Sequence, residues 1–173
     1  MNDHITKGVE ALVRCAAARQ PLGTEDPPTD FKRDNGQNGV PHYRNENARL
    51  AIDFTVERLA FPHLQTMDPR LVRVAPGKHN EYHRHAHESI FVVLEGEGEV
   101  FIGAHWMTVK RGDIAFVPRW IFHQTRNTSA TEELVVLAVT DFGFTSAVLG
   151  DYDHRTRLSQ RGDDVSAGVD AAI

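Results

Sequence analysis

The chain has 173 residues, enough for one domain with its own core, and its 40% apolar and 25% charged residues are an ordinary globular composition. A formal charge of -5, from nineteen basic and twenty-four acidic residues, excludes a general binder of nucleic acid or anionic membrane, which needs a positive footprint. No apolar run of about 18 residues is present to span a bilayer, the N-terminus lacks the order of a signal peptide, and the lone Cys15 permits no internal disulfide and points to a reducing, cytoplasmic setting.

In chain order, residues 6–19 place Val9, Leu12, Val13 and Ala16 at helical spacing with Thr6 as N-cap. Pro21, Pro27 and Pro28 end that helix, and residues 32–47, with two Asn-Gly pairs, read as loop. A helix this short is marginal alone, so it is expected to dock on the body or on a neighbouring subunit. Strands are predicted at Leu50–Phe54, Leu71–Ala75, Ser89–Leu94, Glu99–Ile102, Trp106–Lys110, Ile114–Val117 and Glu133–Thr140. Glycine-containing turns separate most of them and leave no room for crossover helices, so an antiparallel sandwich or barrel follows. Residues 151–173 carry five Asp and three Arg with few large apolar groups and read as a loosely held polar tail. The expected organisation is an N-terminal arm with a short helix over 1–48, a barrel over 49–150 and the tail.

The compositional outlier is histidine: ten in all, four of them between His79 and His87. Alternate residues of an extended strand share a face, which sets His83 and His85 side by side on the inner face. Two such imidazoles suit one metal ion such as zinc, iron or nickel, and His123 is the candidate third ligand from another strand. Glu81 shares the parity of the pair and Glu88 does not. His87 keeps the parity too, though a bend before Ser89 would turn it off that face. His4, His42, His63, His105 and His154 lie in loops, turns or the tail and receive no task.

These segments resemble the two motifs of the cupin superfamily. Gly77, five residues, His83-Arg84-His85, three residues, Ser89, six residues and Gly96 follow the first; Gly112, Pro118, His123 and Asn127 match the second. The resemblance implies an all-β double-stranded β-helix, a jelly-roll barrel, with a metal inside. Ser89 stands where the family carries a ligand glutamate, so the implied metal set is His83, His85 and His123. A displaced Glu81 or Glu88, or loss of the metal, are the alternatives. The Trp-to-Asn stretch from Trp106 to Asn127 is similar to the gentisate and salicylate dioxygenase group, whose members are normally longer, two-domain chains.

The implied function is a metal-dependent oxidoreductase, a non-heme Fe(II) dioxygenase cleaving a small aromatic or enolisable oxygenated substrate, with dioxygen as co-substrate. Zn, Mn or Ni are the other metals such a set accepts. Arg73 and Arg119 are expected to position substrate, with Arg84 and Arg126 as further basic candidates. Gln124 is a candidate hydrogen-bond partner for a bound oxygen or water, and His87 a candidate base or proton relay. Trp106, Phe91, Phe101, Phe116, Trp120 and Phe122 are candidates for a pocket wall, two or three of them touching ligand. A metal-dependent isomerase or lyase, with Tyr82 as the nearest tyrosine base, and a non-catalytic binding module are the competing readings. An arm beside an open barrel rim points to a homodimer.

Overall fold

The computed structural model describes residues 40–149, apart from 62, 63 and 65, together with Thr6, Lys7 and Glu10. Nine strands follow one another: β1 (Val40–Asn47), β2 (Ile52–Arg58), β3 (Asp68–Val74), β4 (Ser89–Glu95), β5 (Glu97–Ile102), β6 (His105–Lys110), β7 (Ile114–Val117), β8 (His123–Asn127) and β9 (Leu134–Thr140). A helix, α1 (Phe142–Leu149), closes the described chain. Among the described residues the strands pair antiparallel, in one sheet ordered β1-β2-β3-β9-β4-β7 and a second ordered β6-β5-β8.

Alternation along the strands sends one apolar row between the sheets. Ile52, Phe54 and Val56 from β2 meet Phe91 and Val93 from β4, Val100 from β5, and Leu134, Val136 and Ala138 from β9. Each such side chain contributes about 1.5–3 kcal/mol when fully buried. Where β4 leaves one sheet and β5 enters the other, the backbones nearly touch. A Cβ on Gly98 would lie 2.2 Å from the Arg126 carbonyl oxygen, and one on Gly96 would lie 2.5 Å from that of Glu133. Glycine at these positions is a condition of closing the two sheets on each other.

Three elements differ from expectation. Residues 40–47, expected as loop, form edge strand β1, specified by its partners: the Tyr43 ring packs on Phe54, while Tyr43 and Asn45 both donate to the Glu81 carboxylate. Strand β8, His123-Gln124-Thr125-Arg126-Asn127, is too polar to read as a buried strand, yet it pairs along β5 from Ile102 to Gly98 and His123, Gln124, Thr125 and Asn127 are buried. Helix α1 has no counterpart among the predicted elements, because its apolar residues show no 3.6-residue stripe; the Asp141 carbonyl caps it by accepting from Phe144 and Thr145. Of the expected N-terminal helix, Thr6, Lys7 and Glu10 are helical, and the rest lies outside the described residues, as does the 151–173 tail. Among the described residues no helix is long and apolar enough to cross a membrane.

Candidate metal centre

His83 and His85 lie on the connector between β3 and β4, outside any regular strand. His83 sits directly opposite His123 as an isolated antiparallel bridge, its N–H donating to the His123 carbonyl (3.1 Å) and its carbonyl accepting from the His123 N–H (2.9 Å). Such a pair brings side chains together, and His85, two residues on, reaches the same cavity. All three rings are buried, and one ligand nitrogen of each falls within 4.8 Å of the others.

Backbone carbonyls orient each ring. His83 Nδ1 lies 2.8 Å from the Glu81 carbonyl, His85 Nδ1 lies 2.9 Å from that of His87, and His123 Nδ1 lies 3.0 Å from that of Ile121. A carbonyl only accepts, so each Nδ1 carries the proton and each Nε2 offers its lone pair. Three neutral nitrogen donors converging in a buried cavity are the donor set of a zinc, iron or nickel site.

Neither glutamate joins them. The Glu81 carboxylate is held by Tyr43 and Asn45; Glu88 is exposed and lies 3.6 Å from Arg119. Ser89 occupies the wall itself, buried, with an Oγ that has no hydrogen-bond partner among the described residues. The residues present therefore fit a divalent metal held by nitrogen alone.

The cavity holds about 40 Å³ of free volume, lined by the apolar Phe54, Val56, Val72, Phe91 and Ala138 and the polar Arg70, Asn80, Ser89 and Thr140. His87 also lines it, despite the bend at Ala86–His87, its ring stacked on His85 at 3.4 Å and edge-on to Phe142. The other candidates for direct substrate contact sit elsewhere. Gln124 turns away from the cavity, its Nε2 donating to the Asn80 carbonyl and lying 3.0 Å from His79 Nδ1. Arg73 faces Glu57 and Glu133, each at 3.4 Å. Arg119 binds the Ala86 carbonyl and the Asp141 carboxylate. Arg84 lies over Phe122, and Arg126 over Trp106.

The basic residue on the wall is Arg70, paired with Asp68. A role for Arg73 at the site requires Leu71, Arg73 and Ala75 to face inward, whereas Arg70 and Val72 line the cavity and Val74 is in the core. Leu71 and Arg70 are both only 2% exposed, so hydrophobicity alone could not phase this strand. Asn80 and Thr140 carried no signal at all. Of the six aromatic residues considered for the wall, Phe91 lines the cavity, joined by Phe54, while Phe116 and Trp120 are exposed. Tyr82 stacks on Phe122 (4.7 Å) rather than facing the cavity, and burial raises its phenol above the usual value of 10.0, with the Arg84 charge acting in the opposite sense.

Residues 70–140 match the cupin domain family, a span that includes the two sheets' central strands and all three histidines. Over this segment the chain is similar to a cupin domain. Over 92 residues, 53% of its length, it is 30% identical to a 1-hydroxy-2-naphthoate 1,2-dioxygenase of Nocardioides sp., covering 24% of that protein. The cupin fold also superposes on a cupin-2 domain of Rhodospirillum rubrum (TM-score 0.54, 24% identity, 67% of this chain and 76% of that one). Salicylate 1,2-dioxygenase of Pseudaminobacter salicylatoxidans gives a TM-score of 0.51 at 18% identity, covering 56% of this chain and 28% of that one. The chain spans between 24% and 46% of the length of the curated relatives it matches.

Proposed function

We propose that this cupin is a metal-dependent oxidoreductase, a non-heme Fe(II) dioxygenase acting on a small oxygenated substrate. The observation that carries this reading is the all-nitrogen set His83, His85 and His123, with Ser89 in place of a carboxylate. Bound Fe(II) would supply Lewis-acid and one-electron chemistry toward dioxygen and an anionic substrate. Without a carboxylate among the ligands, the site retains positive charge that a negative substrate oxygen compensates. The similarity to a 1-hydroxy-2-naphthoate 1,2-dioxygenase supports the same chemistry.

The chain's own residues divide the remaining work. The three carbonyls that hold Nδ1–H keep every Nε2 aimed inward. Phe54, Val56, Val72, Phe91 and Ala138 keep bulk water from the cavity. Arg70, held by Asp68, and Asn80 put polar groups on the lining, and a cationic guanidinium suits a carboxylate or enolate oxygen. Free volume of about 40 Å³ corresponds to room for roughly three water molecules. That space suits a hydroxy-acid or enolisable compound, while an aromatic ring needs the wall to move. The decisive experiment is anaerobic metal analysis followed by oxygen uptake against hydroxy-carboxylates, enolisable diketones and ortho-dihydroxy aromatics. Iron at one per chain with uptake for one class is expected; iron with no uptake for any class overturns the dioxygenase reading.

The same proposal includes a homodimer, supported by the exposed Ile90, Ile114 and Phe116 on β4 and β7, with β7 at the edge of its sheet. Light scattering at micromolar concentration should give twice the chain mass; a monomer would overturn it.

A further inference from the structure

We infer that Arg119 and Asp141 are positioning residues that set the affinity of the metal centre by gripping the turn that carries His85; the inference rests on the three-histidine reading above. The turn 85–88 precedes β4 and has no ladder of its own, yet a buried ligand needs a fixed backbone. Its polar groups are met one by one from two other parts of the chain. Trp120 N–H donates to the His85 carbonyl at 2.8 Å, and Arg119 Nη1 donates to the Ala86 carbonyl at 2.8 Å. The Asp141 carboxylate accepts the Glu88 N–H at 2.8 Å, and Asp141 N–H donates to the Glu88 carbonyl at 3.3 Å.

The carbonyl left between these grips, that of His87, is the acceptor that orients the His85 ring. Arg119 Nη2 bonds directly to Asp141, so the two grips lock together across the turn. Trp120 holds φ +60, a left-handed conformation a tryptophan rarely adopts, and in it presents its N–H to His85. Strain at that point and a charge-assisted lock beside it both converge on one ligand's backbone. The route is from Arg119 and Asp141 to Ala86 and Glu88, thence to the His87 carbonyl and the His85 ring. Neither residue belongs to the cavity wall, which separates this role from substrate contact.

Co(II) is the probe, titrated into metal-free protein in competition with a chromogenic chelator, with its visible ligand-field bands recorded. Arg119→Ala and Asp141→Ala should each weaken Co(II) binding about 10–100-fold, the range for lost outer support of a metal ligand, and shift the bands. Arg119→Lys and Asp141→Asn should lose less, since each keeps one hydrogen bond to the turn. These milder variants keep the test open if an alanine variant fails to fold, as judged by a thermal melt. In a His85→Ala background, Arg119→Lys should change Co(II) affinity by less than about twofold, because a coupling that runs through His85 vanishes with it. An equal loss in both backgrounds, or wild-type affinity in Arg119→Ala, overturns the positioning role. Wild-type protein that binds no Co(II) overturns the three-histidine reading and this inference together; tight wild-type binding that no variant alters overturns only the inference.

Discussion

Two of the three histidines occupy a connector without a β-ladder, and the third begins a strand inside one. His123 on β8 is held by the pairing of β8 with β5, so its place follows from backbone hydrogen bonds that any sequence could make. His83 and His85 are held by an isolated bridge, by single backbone bonds from Trp120 and Asp141, and by the Arg119 and Asp141 side chains. A site can therefore draw one ligand from regular structure and two from an irregular segment. The irregular half then depends on particular side chains, where the regular half depends on the fold.

The largest effect should come from the strand side. Leu134 on β9 is fully buried in the core, and Leu134→Ala should cost about 2–5 kcal/mol, measured by urea unfolding. Metal affinity should follow only as far as the fold is lost. The next tests the connector: His85→Ala should lower Co(II) affinity more than about 100-fold, beyond the range for outer-support residues. Removing metal from wild type by chelation should cost about 2.7 kcal/mol where metal stood at 100 times Kd. Hydrogen exchange should then show residues 79–88 losing protection ahead of 123–127; equal loss in both would erase the distinction between the two halves.

Asn127 is a smaller test from the strand side, since at the end of β8 a side chain takes over from the ladder. Its Nδ2 donates to the Val74 and Glu132 carbonyls, and its Oδ1 accepts from Ser129. Asn127→Ala should cost about 1–3 kcal/mol by leaving buried groups unmet, again read by urea unfolding. Ser89→Ala should do the reverse, leaving stability unchanged or raising it by up to about 1 kcal/mol, because the Oγ it removes has no partner. A clear loss would show that the hydroxyl is bound.

The smallest effect is the pH response of Tyr82. Burial raises its folded pKa above the ordinary 10.0, so the unfolded chain ionises first. Its contribution is complete below about pH 10 and is lost as pH rises through the folded value. Tyr82→Phe should flatten that alkaline slope in thermal melts.

Much of this was legible in the residues. Apolar alternation and glycine turns marked the core strands, and the His83-Arg84-His85 and His123 spacing marked the centre. The misses share a cause. Strand β1 and strand β8 are stabilised by partners distant in sequence, and β3 is buried through both Arg70 and Leu71, so local alternation could not say which face was inner. Arg119 was recognisable as a basic residue near the site, but its engagement with Ala86 and Asp141 is a contact between segments 33 and 22 residues apart.

The sequence by itself determined the all-β fold, because period-two patterning and turn chemistry are local properties of the chain. The three histidines were marked by motif spacing and not by strand parity, since His83 and His85 lie outside any regular strand. Tertiary structure alone decided that Arg70 rather than Arg73 enters the cavity, that Glu81 is held by Tyr43 and Asn45 and absent from the donor set, and that Asp141 grips the ligand turn. Each of these depends on which side chain from a distant segment supplies a hydrogen bond or a countercharge, and that is settled only when the sheets close.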